Sequence, residues 1–258
     1  MSNILSLGCS WTYGHGLDAS ETYSAHLQKL TTEYTFINAG HCGADIDYAI
    51  FSGVKLIEQY NPEIVIFQVS SFDRITLGTD GFNNFLKNDY QISHESKLYY
   101  DRDRVNVRLI GINDGIKTKY THGSYTASKK DRAIEIRDSA TKQIDSKKYK
   151  NFVDVMFENI VHSEYETDKK INNLFLFKEY LKSKKIKSLW FFWVPSFNDE
   201  FFKSFFSQEV YIETPVIKWF KKTYPNKNFY IDNGYHISSE GNKILAEQYI
   251  YPRLIKIL

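Results

Sequence analysis

The amino-terminal quarter of the chain alternates in a way that leaves few folds open. Ile4-Leu5-Ser6-Leu7 is a short apolar run ending at Gly8, the pattern of a buried strand entering a tight turn. In Glu21 to Leu30 the residues Tyr23, His26, Leu27 and Leu30 recur at helical spacing, and Tyr34 to Asn38 reads as a second strand ending at Ala39-Gly40. From Asp45 onward Ile46, Ile50, Val54 and Ile57 form an i, i+4 stripe, Asn61-Pro62 stops that helix, and Ile64 to Val69 is another apolar strand. Strands joined through helices pair in parallel, because the crossover returns the chain to the same end of the sheet. The pattern therefore predicts an α/β protein with helices packed on a parallel sheet.

The alternation lapses between about 75 and 150, where Gly, Asn, Asp, Lys and Tyr mix with short alternating pieces such as Val105-Asn-Val-Arg-Leu-Ile. This stretch is expected to be an insertion within a single domain spanning 1–258. Lys129, Lys130, Arg132, Lys147, Lys148 and Lys150 are interleaved with Asp131, Glu135, Asp138 and Asp145, which reads as a solvated helical face rather than an anion-binding one. Helical periodicity resumes around Phe152 to Val161 and from Lys169 to Lys182, before the intensely apolar strand Ile186 to Val194, which Pro195 ends. A short strand at Phe229-Tyr-Ile leads through a turn to a helix over Ser239 to Leu258, which Pro252 kinks or splits.

Composition narrows the function classes. Of 258 residues 42% are hydrophobic and 25% charged, with 33 Lys+Arg against 31 Asp+Glu leaving a net charge of only +2. Such a chain can build a core and is not disordered. It also lacks the broad basic field that nucleic-acid binding uses, so no nucleic-acid partner is expected. The longest strongly apolar stretch, Leu189 to Val194, is far short of the roughly 20 residues that span a bilayer, so no membrane partner is expected either. Met1-Ser-Asn lacks the basic start of a signal peptide and only two cysteines are present, so the expected setting is the reducing cytoplasm.

In an open parallel sheet the carboxyl ends of the strands share one edge, where ligands bind. The first such turn, Gly8-Cys9-Ser10-Trp11-Thr12-Tyr13-Gly14, puts a serine at the strand-to-helix junction. A serine there is either a helix cap or a nucleophile. Far along the chain, Asp232-Asn233-Gly234-Tyr235-His236-Ile237-Ser238-Ser239-Glu240-Gly241 places a histidine in a turn before a helix, which supplies a base.

Together these turns resemble the SGNH (GDSL-like) hydrolase family, whose first block reads Gly-Asp-Ser and whose last reads Asp-x-x-His. Asn38-Ala39-Gly40-His41-Cys42-Gly43-Ala44-Asp45 is similar to the family's second block, in which a glycine N–H helps to form the oxyanion hole. The resemblance implies a three-layer α/β/α, flavodoxin-like parallel sheet, matched near both termini and in the second turn and unmatched in the middle third. It implies ester hydrolysis in which Ser10 attacks an acyl carbonyl and His236 takes its proton. An acyl-serine forms, and water then releases it. The implied oxyanion donors are the N–H groups of Ser10 and Gly43. A serine hydroxyl needs the adjacent base, and the developing alkoxide needs donors already aimed at it.

Three blocks depart from the family pattern. Cys9 stands where the family carries aspartate. After the third strand, Ser70-Ser71-Phe72-Asp73-Arg74 replaces Gly-x-Asn-Asp. Ser71 or Ser70 then either donates in place of the missing asparagine or caps the strand end, and Arg74 either orients an anionic or sugar substrate or pairs with Asp73. Three residues before His236 lies Asn233, with Asp232 one further back. Either Asp232 orients the imidazole or the enzyme runs as a Ser-His dyad. Most aromatic residues are expected in the core, but Trp11 or Tyr13, just after the serine, suits a wall for a sugar ring or acyl group, which favours O-acyl, particularly acetyl, esters of carbohydrate. A small-molecule or glycan ester is thus the expected partner, and the residues leave the oligomeric state open. Two alternatives stand: an impaired SGNH-fold protein that only binds a ligand, and an O-acyltransferase. No cofactor is implied. Cys9, His15, His41 and Cys42 form the one zinc set worth weighing, but they lack paired C-x-x-C or H-x-x-x-H spacing, so no metal site is expected.

Overall fold

The computed structural model describes residues 2–41, 44–70, 72, 74–77, 107–111, 118–121, 125–127, 134–136, 164–194, 199–206, 210–231 and 236–258. The chain divides into two units, one of residues 1–71 with 172–258 and one of residues 72–171.

The first unit is built on strands β1 (Ser2–Gly8), β2 (Tyr34–Gly40) and β3 (Ile64–Val69), with α1 (Ser10–Tyr13), α2 (Tyr23–Leu30) and α3 (Ile46–Tyr60) between them. The second unit contributes β4 (Arg74–Leu77), β5 (Val107–Gly111), β6 (Thr118–Thr121), β7 (Tyr125–Ala127) and β8 (Ile134–Ile136), each pairing antiparallel with the next. Helix α4 (Glu164–Ser183) leads back to β9 (Lys187–Phe192), followed by α5 (Asp199–Phe205), β10 (Val210–Ile212) and α6 (Val216–Thr223). A two-stranded antiparallel ribbon, β11 (Tyr230–Ile231) with β12 (His236–Ile237), precedes the C-terminal helix, which is α-helical over Ser239–Ile244 (α7), π-helical over Leu245–Ile250 and α-helical again over Tyr251–Leu254 (α8).

In the main sheet the strands lie in the order β2-β1-β3-β9-β10, every neighbouring pair parallel. This is the flavodoxin-like doubly wound order. All six residues of β3 are buried, as expected of a central strand with both faces covered. Ile4, Ile64, Ile66, Leu189 and Phe191 pack beneath Tyr23 and Leu27 of α2, Val216 and Phe220 of α6, and Leu245, Tyr249 and Ile250 of the C-terminal helix. On the opposite face Leu7 lies against Gly53 of α3, Phe67 and Trp190 against Phe177 of α4, and Trp190 against Phe206, which follows α5. The architecture is three layers, α/β/α.

The predicted strand Ile64 to Val69 coincides with β3, and the stripe from Ile46 is α3, capped by Asp45, whose Oδ1 accepts the Tyr48 N–H at 2.7 Å. Sequence periodicity passed over the fifth strand, β10, because three residues are too few to show alternation. Pro252 does not end the C-terminal helix: the π-helical turn lies just before it, where it relieves the ring's clash with the preceding turn. The helical face expected over the charged stretch is corrected at Ile134–Ile136, which is a strand, since Ile134 and Ile136 alternate with Glu135 at the two-residue period of a sheet. The stretch expected as an insertion, 75–150, falls within the second unit, and the helix expected over Phe152 to Val161 lies outside the described residues. In that unit the buried Lys170 Nζ donates to the Phe72 carbonyl. Among the described residues no helix is long and apolar enough to cross a membrane.

Candidate active site

The turn after β1 is made tight by its glycines. A Cβ on Gly8 would lie 2.3 Å from Thr12 Oγ1 and 2.6 Å from Gln68 Oε1, so any side chain there would displace the turn. At the end of β2, a Cβ on Gly40 would lie 2.2 Å from the Tyr13 nitrogen and 2.6 Å from the Thr12 carbonyl carbon, which is why β2 can approach the backbone of α1. Asn38 Nδ2 donates to the Thr12 carbonyl at 2.8 Å, and the His41 N–H donates to the Gly8 carbonyl at 3.0 Å. The second turn is thus fastened onto the first. Ser10 opens α1, with Cys9 extended before it and Gly14 left-handed after it.

His236 begins β12, where it pairs with Ile231 of β11. Ser238 then caps α7, its Oγ accepting the Gly241 N–H at 3.2 Å. The capping preference of serine thus sets where the imidazole-bearing strand stops. The two ends of the chain meet here: His236 Nε2 lies 3.0 Å from Ser10 Oγ, 226 residues apart in sequence. Each residue is 7% exposed, so the pair is largely desolvated. The His15 ring lies against that of His236, its centroid 4.6 Å away at a 43° tilt.

The register of β1 and β3 pairs Leu7 with Phe67, so Ser10 and Ser70 each stand three residues beyond a paired position at the same sheet edge. Ser70 is 2% exposed, and its Oγ has no hydrogen-bond partner among the described residues. Trp11 stacks on Trp193 with centroids 4.3 Å apart and packs against the core, whereas Tyr13, three residues after the serine at the end of α1, is 41% exposed. Arg74 opens β4 in the second unit. Asp232, Asn233, Gly43 and Ser71 lie outside the described residues, as does Cys42. Cys9 is buried with its thiol donating to Gln68 Oε1 at 3.1 Å, and His41 meets the ring of Tyr48 edge-on at 5.0 Å. Among the described residues no three His, Cys, Asp or Glu side chains gather as metal ligands.

No family model matches the chain, and no curated protein matches its sequence. Its structure, however, superposes end to end on solved ones. TesA aligns with a TM-score of 0.53 at 13% identity, covering 100% of both chains. A G-D-S-L family protein from Desulfitobacterium hafniense DCB-2 aligns at 0.51 and 11% identity, again covering 100% of both. The chain has the SGNH-hydrolase fold. The psychrotrophic esterase EstA from Pseudoalteromonas sp., in a structure inhibited by monoethylphosphonate, shares this SGNH fold at a TM-score of 0.50 and 12% identity, covering 99% of this chain and 98% of its own.

Sequence reasoning missed the side chains that brace the SGNH-fold site. Buried Asn242 accepts the Tyr23 N–H through Oδ1 at 3.0 Å, and its Nδ2 reaches the Ile237 and Ser238 carbonyls at 3.4 and 3.2 Å. The Tyr23 hydroxyl donates to Thr12 Oγ1 at 3.1 Å, and complete burial pushes its phenol well above the ordinary range. The only signal in the sequence is polar residues at core-facing positions of a helix or strand, which periodicity scores as noise.

Proposed function

We propose that the chain is a serine ester hydrolase working through an acyl-serine intermediate. The observation that carries this reading is the 3.0 Å contact between Ser10 Oγ and His236 Nε2 at the carboxyl edge of the sheet. With the proton on Nδ1, Nε2 accepts from the hydroxyl and removes its proton as Ser10 attacks the ester carbonyl. The imidazolium then protonates the leaving alcohol, and a water repeats the sequence to free the acid. Asp232 or Asn233 orients Nδ1. The N–H groups of Ser10 and Gly43 receive the oxyanion, and Ser70 or Ser71 supplies the donor that asparagine gives elsewhere in the family. Of these two serines Ser70 is favoured by its buried hydroxyl, which has no hydrogen-bond partner among the described residues. An exposed Tyr13 three residues after the nucleophile suits an acylated sugar, and O-acetyl esters of carbohydrate are the substrate class we favour, with Trp11 and Arg74 as further contacts.

One observation favours a binding-only role. Buried Phe72 stands where the family's oxyanion asparagine is expected, and an apolar ring cannot donate.

The deciding experiment is p-nitrophenyl acetate turnover with fluorophosphonate capture of Ser10. Wild type is expected to turn over and to be labelled, while Ser10→Ala and His236→Ala lose turnover by at least about a thousandfold. A wild type that does neither leaves the binding role. Product analysis with added sugar alcohols separates hydrolysis from acyl transfer.

A further inference from the structure

Gln68 stands on the α2 face of β3, completely buried, two residues beyond Ile66 of the apolar layer. A primary amide in such a place is costly unless every polar atom is paired. Here Oε1 accepts from the Cys9 backbone N–H at 2.9 Å, the Cys9 thiol at 3.1 Å and the Thr12 hydroxyl at 3.2 Å, while Nε2 donates to the Val69 carbonyl at 3.0 Å. A backbone N–H only donates and a backbone carbonyl only accepts, so these contacts determine which way the amide points.

The residues that Gln68 grips are Cys9, directly before Ser10, and Thr12, two after it. Cys9 caps α1 without a side-chain bond to the helix, so the amide supplies the anchoring that the cap does not. Thr12 in turn accepts from Tyr23, and Tyr23 is tied through Asn242 to the carbonyls of Ile237 and Ser238. A continuous buried chain of hydrogen bonds thus runs from β3 through the nucleophile turn to the strand that carries His236. The missing Cβ of Gly8 leaves the space that Gln68 Oε1 occupies.

We propose that Gln68 is a positioning residue for Ser10, holding the turn so that the hydroxyl stays in line with His236 Nε2. This rests on Ser10 being the nucleophile. Attack requires near-ideal alignment, and a displacement of about 1 Å costs on the order of a hundredfold in rate. Leucine at this position matches the volume but releases the Cys9 N–H and the Thr12 hydroxyl together. Glutamate in its neutral form keeps one accepting oxygen for those donors and one O–H for the Val69 carbonyl, and burial favours that neutral form.

The experiment compares full-length wild type, Gln68→Leu and Gln68→Glu at about pH 6, where a buried carboxyl is protonated. It measures p-nitrophenyl acetate kinetics, the rate of fluorophosphonate labelling and circular dichroism. Gln68→Leu is expected to lower kcat and labelling by about a hundredfold with KM within about threefold, and Gln68→Glu to recover to within about tenfold of wild type. A folded Gln68→Leu that labels as fast as wild type, or that raises KM at unchanged kcat, overturns the proposal. Should Gln68→Leu fail to fold, Gln68→Glu decides alone: recovery supports the role and a loss beyond about tenfold overturns it. A wild type that takes no probe overturns the nucleophile assignment and this role with it, whereas a labelled wild type with indifferent variants overturns this role only.

Discussion

A buried hydroxyl with nothing to bond among the described residues is an expense that folding alone does not explain. Leaving one unsatisfied costs about 1–3 kcal/mol, and Ser70 Oγ is such a group. If it waits for an oxyanion, Ser70→Ala should lower kcat by about a hundredfold, the usual effect of losing one such donor, while the unfolding midpoint stays level or rises. A serine that merely caps the strand would give the reverse, with stability lost and kcat kept. The acid behind His236 is decided by the same kind of comparison. A carboxylate stabilises imidazolium by charge and an amide does not, so kcat/KM should fall further in Asp232→Ala than in Asn233→Ala. Equal, negligible losses would assign a Ser-His dyad.

Elements meet at this site through missing side chains as much as through present ones. The end of β2 touches the backbone of α1 at Gly40, where an added Cβ would meet main-chain atoms of Tyr13 and Thr12 and no rotamer can give way. Gly40→Ala should therefore cost about 2–3 kcal/mol and slow phosphonate labelling, because the relief moves the nucleophile turn. Gly53 of α3 offers the internal control: a Cβ there meets the flexible end of Leu7 at 2.6 Å, so Gly53→Ala should lower the urea midpoint less and leave labelling unchanged. Most of this was legible as pattern. The apolar runs of β1, β2 and β3 and the stripe of α3 announce themselves by period, because a strand covered on both faces and a helix covered on one leave different repeats. Strand β10 does not, being three residues at an edge, and neither does the two-residue β12, whereas β11 falls within the short strand read at Phe229-Tyr-Ile.

For the molecule as a whole, acidity is the condition under which the first unit should weaken. Partial burial holds the His26 imidazole below its ordinary 6.5, with Lys29 and Lys243 adding to the effect and Glu247 opposing it. A depressed folded value means that the unfolded chain takes up the proton first. The stability tied to neutral His26 is thus complete above 6.5 and is lost as pH falls from there toward the folded value. Trp11, Trp190, Trp193 and Trp219 all lie in the same unit as His26, so tryptophan fluorescence reads its unfolding directly. The urea midpoint should drop between about pH 8 and about pH 5.5, and His26→Gln should shrink that drop. What the order of residues determined unaided was the alternation of strands and helices, and with it a parallel sheet whose polar turns share one edge, because hydrophobic periodicity is local and survives without coordinates. It also put a serine at the strand-to-helix junction and a histidine just before the last helix, although His236 lies on the short strand β12 rather than in the turn expected for it. That Ser10 and His236 stand 3.0 Å apart, that Ser70 is buried without a bond among the described residues, and that Gln68, Tyr23 and Asn242 brace the turns was decided only by the tertiary structure, since those contacts join residues as far as 226 positions apart and no local period records which distant polar group will satisfy another.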